Sequence, residues 1–163
     1  MDDILFRWAG PADYAALGEL MFDAVRKGPS PYDAAQRAAW MPEPRQGAAW
    51  DERLGGQEIV AAEADDRILG FMTLAEGGYV DFAYIRPAAR GRGLFGRLYA
   101  QVEARARDRG LHRLWVHASL MAEPAFAAHG FSVVRRETVS IGGESLDRCE
   151  MEKILRSTIR RTT

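Results

Sequence analysis

Short, largely apolar runs at 4–8, 58–64, 68–75 and 79–85 are bounded by polar and glycine residues, and apolar residues recur at helical spacing elsewhere, which predicts strands and helices packed in layers. Residues 4–8 read as a short strand. Pro11 stands where a first helical turn accepts it, and Ala16, Leu17, Leu20, Met21, Ala24 and Val25 make the apolar stripe of a helix running to about residue 26. Gly28, Pro29, Ser30 and Pro31 break the chain; Asp33 then caps a short helix at 34–40 that Pro42 and Pro44 stop. A third short helix is expected at 48–54. The strands at 58–64, 68–75 and 79–85 are separated only by Asp65-Asp66-Arg67 and Glu76-Gly77-Gly78, so they form an antiparallel meander.

Past Pro87 a glycine-rich turn enters a helix at 93–109 with Phe95, Leu98, Tyr99, Val102 and Ala106 on one face, and Gly110 ends it. A strand at 111–117, a short helix at 124–128 closed by Gly130, and strands at 133–141 and 146–154 complete the pattern. The basic segment 156–163 is expected to be a loose tail. With no internal repeat, low-complexity stretch or linker, residues 1–163 read as a single α/β domain.

Composition narrows the function classes. The chain has 47% hydrophobic and 28% charged residues, enough for a real core, and its formal net charge of −1 argues against a surface built for nucleic acid. Any anion site must be local. A single cysteine, Cys149, excludes an internal disulfide, no apolar run nears the roughly 20 residues of a membrane span, and Asp2 and Asp3 stand where a signal peptide carries basic residues. A cytoplasmic protein with no membrane partner is expected.

Residues 79–99 carry the chemistry: a strand, a proline-marked turn, then glycines opening a helix. Gly91 and Gly93 let the backbone approach a ligand, their amides can converge on oxygen anions, and the helix N-terminus adds about half a positive charge. Arg86, Arg90, Arg92 and Arg97 crowd the same stretch, as several phosphate charges would require. Gly91-x-Gly93-x-x-Gly96 also matches the dinucleotide fingerprint, but it fails in context. Five residues including Pro87 separate Ile85 from Gly91, the strand ends an antiparallel meander, and the next strand ends at His117, Ala118 and Ser119 with no acidic residue for a ribose. No lysine followed by serine or threonine comes after the glycines, so the turn is not a nucleoside-triphosphate loop.

Arg90-Gly-Arg-Gly93-Leu-Phe95 resembles the acyl-CoA turn of the GNAT superfamily of N-acetyltransferases, and the order of elements agrees over nearly the whole chain. Ile85-x-Pro87, Ser119-x-x-Ala122 and Phe126-x-x-x-Gly130-Phe131 match further, while Tyr32-x-x-x-Gln36-x-x-Ala39-Trp40 and Trp50-x-x-Arg53-Leu54 are similar to the small bacterial YafP-like branch. The resemblance implies a mixed, mostly antiparallel central sheet of about 6–7 strands flanked by helices on both faces. It also implies acetyl-CoA as acyl donor, no metal, a small-molecule amine as acceptor, and a monomer or homodimer. Coenzyme contacts are implied at Ala83, Tyr84 and Ile85 along the strand, at Arg90, Gly91, Arg92, Gly93, Leu94, Phe95 and Gly96 in the turn, and at Ser119 and Phe126.

Two residues depart from the family pattern. Phe95 occupies a position where the family has a small residue, and Phe126 stands where it often has the tyrosine that protonates the departing thiolate. That second departure leaves open a non-catalytic acyl-CoA-binding domain. Within the implied mechanism an acceptor amine of pKa about 10.4 must lose a proton. Alternation puts Tyr79, Asp81, Ala83 and Ile85 on one strand face, and Asp81, a carboxylate amid apolar residues, needs solvent, a partner or a task. As proton acceptor it is the first choice, with His117 either the base itself or the group orienting Asp81. Ser119, His129 or water is left to protonate the thiolate. Tyr32, Trp40, Trp50 and Tyr79 are expected to wall the acceptor pocket, which suits a small, partly apolar or aromatic amine.

Overall fold

The computed structural model describes residues 3–156; the expected tail after Arg156 lies outside them. Strands are β1 (Leu5–Trp8), β2 (Glu58–Ala64), β3 (Arg67–Leu74), β4 (Tyr79–Val80), β5 (Ala83–Ile85), β6 (Arg113–Ser119), β7 (Ser132–Ile141) and β8 (Glu144–Ile154). Helices are α1 (Tyr14–Arg26), α2 (Ala34–Trp40), α3 (Ala48–Gly55), α4 (Leu94–Asp108) and α5 (Glu123–Ala128). Asp33 caps α2 as its sequence position demands, its carboxylate accepting from the Gln36 amide at 2.8 Å while the Gln36 side chain accepts from the Asp33 amide at 2.8 Å.

The sheet falls into two halves, ordered β1-β2-β3-β5 and β4-β6-β8-β7. The meander is antiparallel, as the short turns require. Its third member, expected as one strand over 79–85, is shared between the halves: β5 pairs with β3 antiparallel, whereas β4 pairs with β6 parallel through Tyr79–Trp115 and Val80–Val116. The break is a bulge. The Ala75 amide donates to the Tyr79 carbonyl and the Thr73 amide to the Phe82 carbonyl, so three residues advance on one strand against two on the other. Counting β4 and β5 as one split strand gives seven.

Both faces are covered, because consecutive residues of β2 and β3 enter different cores. Val60, Ala62, Met72 and Leu74 pack with Leu94, Leu98 and Val102 of α4 and with Phe126, while Ile59, Ala61, Ile68 and Phe71 pack with Leu17, Leu20 and Met21 of α1 and Leu54 of α3. Gly18 lets α1 touch the loop between α2 and α3: a Cβ there would lie 1.9 Å from the Arg45 carbonyl oxygen. Backbone cannot yield as a side chain can, so Gly18→Ala is expected to cost about 2–3 kcal/mol, seen as a fall in Tm of roughly 5–10 °C.

Candidate active site

The split strand creates the site. Along β5 the Thr73–Phe82 pair and the Arg86 amide on the Leu69 carbonyl (2.8 Å) fix the hydrogen-bonding rhythm, so Tyr84 bonds to β3 and the backbone groups of Ala83 and Ile85 face the other way. On that side β5 is the edge of its half-sheet, and the last residues of β6, His117–Ser119, pair only with β8. A wedge therefore opens between β5 and β6, with polar backbone atoms on its rim.

One cavity of about 230 Å³ runs from this wedge to the glycine turn. Ala83, Tyr84, Ile85, Arg90, Gly91, Gly93, Leu94, Phe95 and Ser119, all named from the sequence, line it, and so do Met121, Ala122 and Ala125, which the sequence reading missed. Gly91 and Gly93 have φ of +80° and +75°, the left-handed region that favours glycine, and a Cβ at either would meet nothing within 4 Å. The Arg97 amide is the first in α4 to bond within the helix, to the Gly93 carbonyl at 3.3 Å. The amides of Leu94, Phe95 and Gly96 precede it and belong to an N-terminus whose cap, Gly93, has no side chain. This suits an anion.

The arginines do less than expected. Arg86 is buried, holding Glu19 at 2.5 Å and Asp23 at 3.2 Å while donating to the Ile68 carbonyl. Arg90 turns back onto the end of α1, donating to the carbonyls of Ala24 (3.0 Å) and Pro29 (3.4 Å), and burial lowers its pKa. Arg97 lies over the Phe6 ring, 4.3 Å from its centroid. Arg92 is exposed and, like Gly96, lies outside the cavity lining; Gly96 packs against the His129 ring. The amides of the turn and the helix dipole add positive potential beside Arg90, which lines the cavity. Long basic side chains look interchangeable in sequence, but here two of them were needed to satisfy carboxylates and carbonyls from residues more than 60 positions away.

A second cavity, of about 250 Å³, adjoins the first, sharing Trp40, Ala83, Tyr84, Ser119 and Ala122 with it. Tyr32, Trp40, Tyr79, Asp81 and His117 line it. Trp50 does not: it is buried beside Phe82 (5.2 Å between ring centroids) and its indole N–H donates to the Tyr14 carbonyl at 2.7 Å, so it is a core residue. Tyr32 is a wall with its hydroxyl spent, donating to the Asp147 carbonyl (2.6 Å) and accepting from the Leu120 amide (2.9 Å).

Asp81 has a partner rather than solvent. Arg53 grips it twice, at 2.7 and 2.8 Å, and the Gln57 amide donates to it at 2.7 Å, so its oxygens are already engaged by three donors. This clamp leaves Asp81 less available as a base than its place in the sequence suggests. His117 is freer. Its Nδ1 lies 2.9 Å from the Tyr79 hydroxyl, and its Nε2 faces Glu150 at 3.8 Å and Glu137 at 3.9 Å. Burial lowers its pKa first, then Arg148, against the upward pull of the two glutamates.

Phe126 is fully buried against Phe95 and Phe131 (ring centroids 5.1 and 5.0 Å) and touches the second cavity rather than the one beside the glycine turn. His129 stacks between Phe95 and Tyr99, outside both linings, which removes it as a thiolate donor. Ser119 and Tyr84 line both cavities; the Ser119 hydroxyl accepts from the Ala122 amide at 3.1 Å, leaving its proton to donate, and burial raises the pKa of Tyr84. Cys149 is buried with its thiol pushed up to about 11, chiefly by burial and by Glu123, so it is no nucleophile. Among the described residues no three His, Cys, Asp or Glu side chains gather as a metal site, and no helix is long and apolar enough to cross a membrane.

Residues 30–154 match the acetyltransferase (GNAT) domain family. The chain belongs to the GNAT acetyltransferase family. YafP of Escherichia coli K12, described as an uncharacterized N-acetyltransferase, is 27% identical to this GNAT acetyltransferase over 146 residues, covering 88% of this chain and 91% of YafP. A GCN5-related N-acetyltransferase from Rhodopseudomonas palustris, also labelled a class-II aminotransferase, superposes with a TM-score of 0.84 at 30% identity, over 95% of this chain and 98% of that one. YncA of Salmonella typhimurium, solved with its cofactor acetyl-CoA, shares the fold with a TM-score of 0.67 at 22% identity, over 98% of each chain.

Proposed function

We propose that this GNAT acetyltransferase moves the acetyl group of acetyl-CoA directly to the primary amine of a small molecule. The observation that carries the reading is the split strand: its outward Ala83 and Ile85 backbone groups lead from the acceptor-side cavity to the uncapped N-terminus of α4. Acetyl-CoA supplies the acetyl group as a thioester. The amides of residues 91–96 hold its diphosphate, and Ala83 and Ile85 pair with the amide-bearing arm as an added strand would. Tyr84 contributes its side chain, since its backbone is committed to β3.

Tyr79 and His117 remove the amine's proton. The Tyr79 oxygen accepts it while the phenolic proton passes to His117 Nδ1 across the 2.9 Å hydrogen bond. The resulting imidazolium faces Glu137 and Glu150, whose charge stabilises it. Asp81, clamped by Arg53 and Gln57, holds the bulge in place. Ser119 and Tyr84 donate to the departing sulfur, replacing the tyrosine absent at Phe126; a thiolate of conjugate pKa near 8.5 needs only modest help. With one cysteine in the chain, and that one buried, transfer passes through no cysteinyl intermediate.

Thermal shift with acetyl-CoA, coenzyme A and nicotinamide dinucleotides, followed by thiol release with a panel of amines, tests this. Stabilisation by both coenzyme A compounds and amine-dependent thiol release are expected. Stabilisation by a dinucleotide alone overturns the site. Binding without thiol release for any amine favours a non-catalytic acyl-CoA-binding domain, the reading that Phe126 keeps open.

A further inference from the structure

Charge in the acceptor-side cavity does not balance. Three arginines, Arg45, Arg53 and Arg148, and one carboxylate, Asp81, line it. Asp81 neutralises Arg53, and Glu137, outside the lining, accepts from Arg148 Nε at 2.9 Å. Among the described residues the Arg45 guanidinium has no hydrogen-bonded acceptor and no ion-paired carboxylate; it lies over the Trp50 ring, 5.8 Å from its centroid, and Asp81, held by Arg53, acts on it only through charge at longer range. Burial lowers the pKa of Arg45, and the nearby Arg53 adds to the shift. Arg45 is only partly buried and its guanidinium reaches water, so its charge is open to a ligand, and the close approach of Gly18 to the Arg45 carbonyl sets its loop against α1.

Apart from His117 and Ser119, the rest of the cavity wall is apolar or aromatic. Tyr32 and Trp40 meet edge to face at 5.6 Å, Trp40 and Tyr84 lie 6.3 Å apart, and Val139, Ile141 and Leu146 face them. One uncompensated positive charge calls for one negative charge, and a planar fork matches a carboxylate better than a point charge does.

We propose that the acceptor is an amino carboxylate, a primary amine carrying one carboxylate and an apolar or aromatic body, with Arg45 gripping the carboxylate while the amine reaches Tyr79 and His117. This deepens the acetyl-transfer reading and rests on it. The carboxylate is unchanged by the reaction: the nitrogen–carbon bond forms as the carbon–sulfur bond breaks, and the amine's proton leaves through Tyr79 and His117. The product is an N-acetylated amino carboxylate and free thiol.

Matched acceptors test the proposal: phenylalanine against phenylalaninamide and leucine against leucinamide, followed by thiol release and by equilibrium binding to the protein saturated with coenzyme A. The amide's amine is less basic, so the diagnostic is how the preference changes between wild type and variants. The carboxylate member is expected to bind at least 10-fold more tightly than its amide to the wild type, Arg45→Gln to reduce that preference by 10-fold or more, and Arg45→Lys to keep part of it. Equal binding of both members, binding of neither, or an undiminished preference in Arg45→Gln overturns the proposal. Binding is read without turnover, so absence of thiol release with every amine strikes the acetyl-transfer reading, whereas absence of carboxylate preference strikes this one alone.

Discussion

Gly93→Asp is expected to raise the Kd for coenzyme A by roughly 10²- to 10³-fold while the protein stays folded. Gly93 caps α4 at φ +75°, and a side chain there would enter open space. Aspartate is among the residues that tolerate this conformation, and its carboxylate is a good helix cap, so stability should move by no more than about 1 kcal/mol. Its charge is the damage. A carboxylate about 4 Å from a diphosphate charge repels it by about 4 kcal/mol at an effective dielectric constant of 20, and every 1.4 kcal/mol is tenfold in Kd. Calorimetric titration measures the effect directly, and Gly93→Ala, with backbone strain but no charge, should lose far less. Equal losses in the two variants would mean that shape rather than potential governs the turn.

His117→Gln should lower kcat by about 10²- to 10⁴-fold, the usual contribution of a positioned base, with the Kd for acetyl-CoA nearly unchanged because His117 lines the acceptor-side cavity alone. The pH profile gives a sharper test. Burial and Arg148 lower the His117 pKa below its ordinary 6.5, while Glu137 and Glu150 oppose them. The imidazole therefore stays neutral, and able to accept a proton, to a lower pH than a free histidine would. The acid limb of kcat/KM should fall below pH 6.5 and vanish in His117→Gln. Glu137→Gln removes a carboxylate that favours the imidazolium and releases Arg148, so it should move the limb to still lower pH. A limb that survives in His117→Gln would assign the proton to another group.

Nearly every element was legible from its apolar spacing and from the turn residues that bound it: the helices expected at 34–40 and 48–54 are Ala34–Trp40 and Ala48–Gly55, and the 58–64 strand, apolar on both faces, is Glu58–Ala64. The glycine turn was legible for a different reason, since backbone freedom at Gly91 and Gly93 has few uses other than close approach. What failed was whatever depends on distant partners. Alternation over 79–85 carries no mark of a bulge that arises when Phe82 pairs with Thr73 and Tyr79 with Ala75. Asp81 looked available because Arg53 and Gln57 are 28 and 24 residues earlier. Trp50 looked like a pocket wall because ring spacing on a helix is the same for core and for site. Arg45 was overlooked altogether. The only trace it leaves in the sequence is its place in the loop just after Pro42 and Pro44, ahead of a helix.

Because residues 79–85 change allegiance midway, the sheet contains a seam, which the donor as proposed would close. A molecule lying along Ala83 and Ile85 would stand where the next strand would have stood, bridging parts of the sheet that, among the described residues, are joined by pairing at Tyr79 and Val80. On the proposed reading, loading the donor would work like setting a keystone: it would finish an arch of hydrogen bonds and bring its reactive carbon to the chamber lined by Tyr79 and His117.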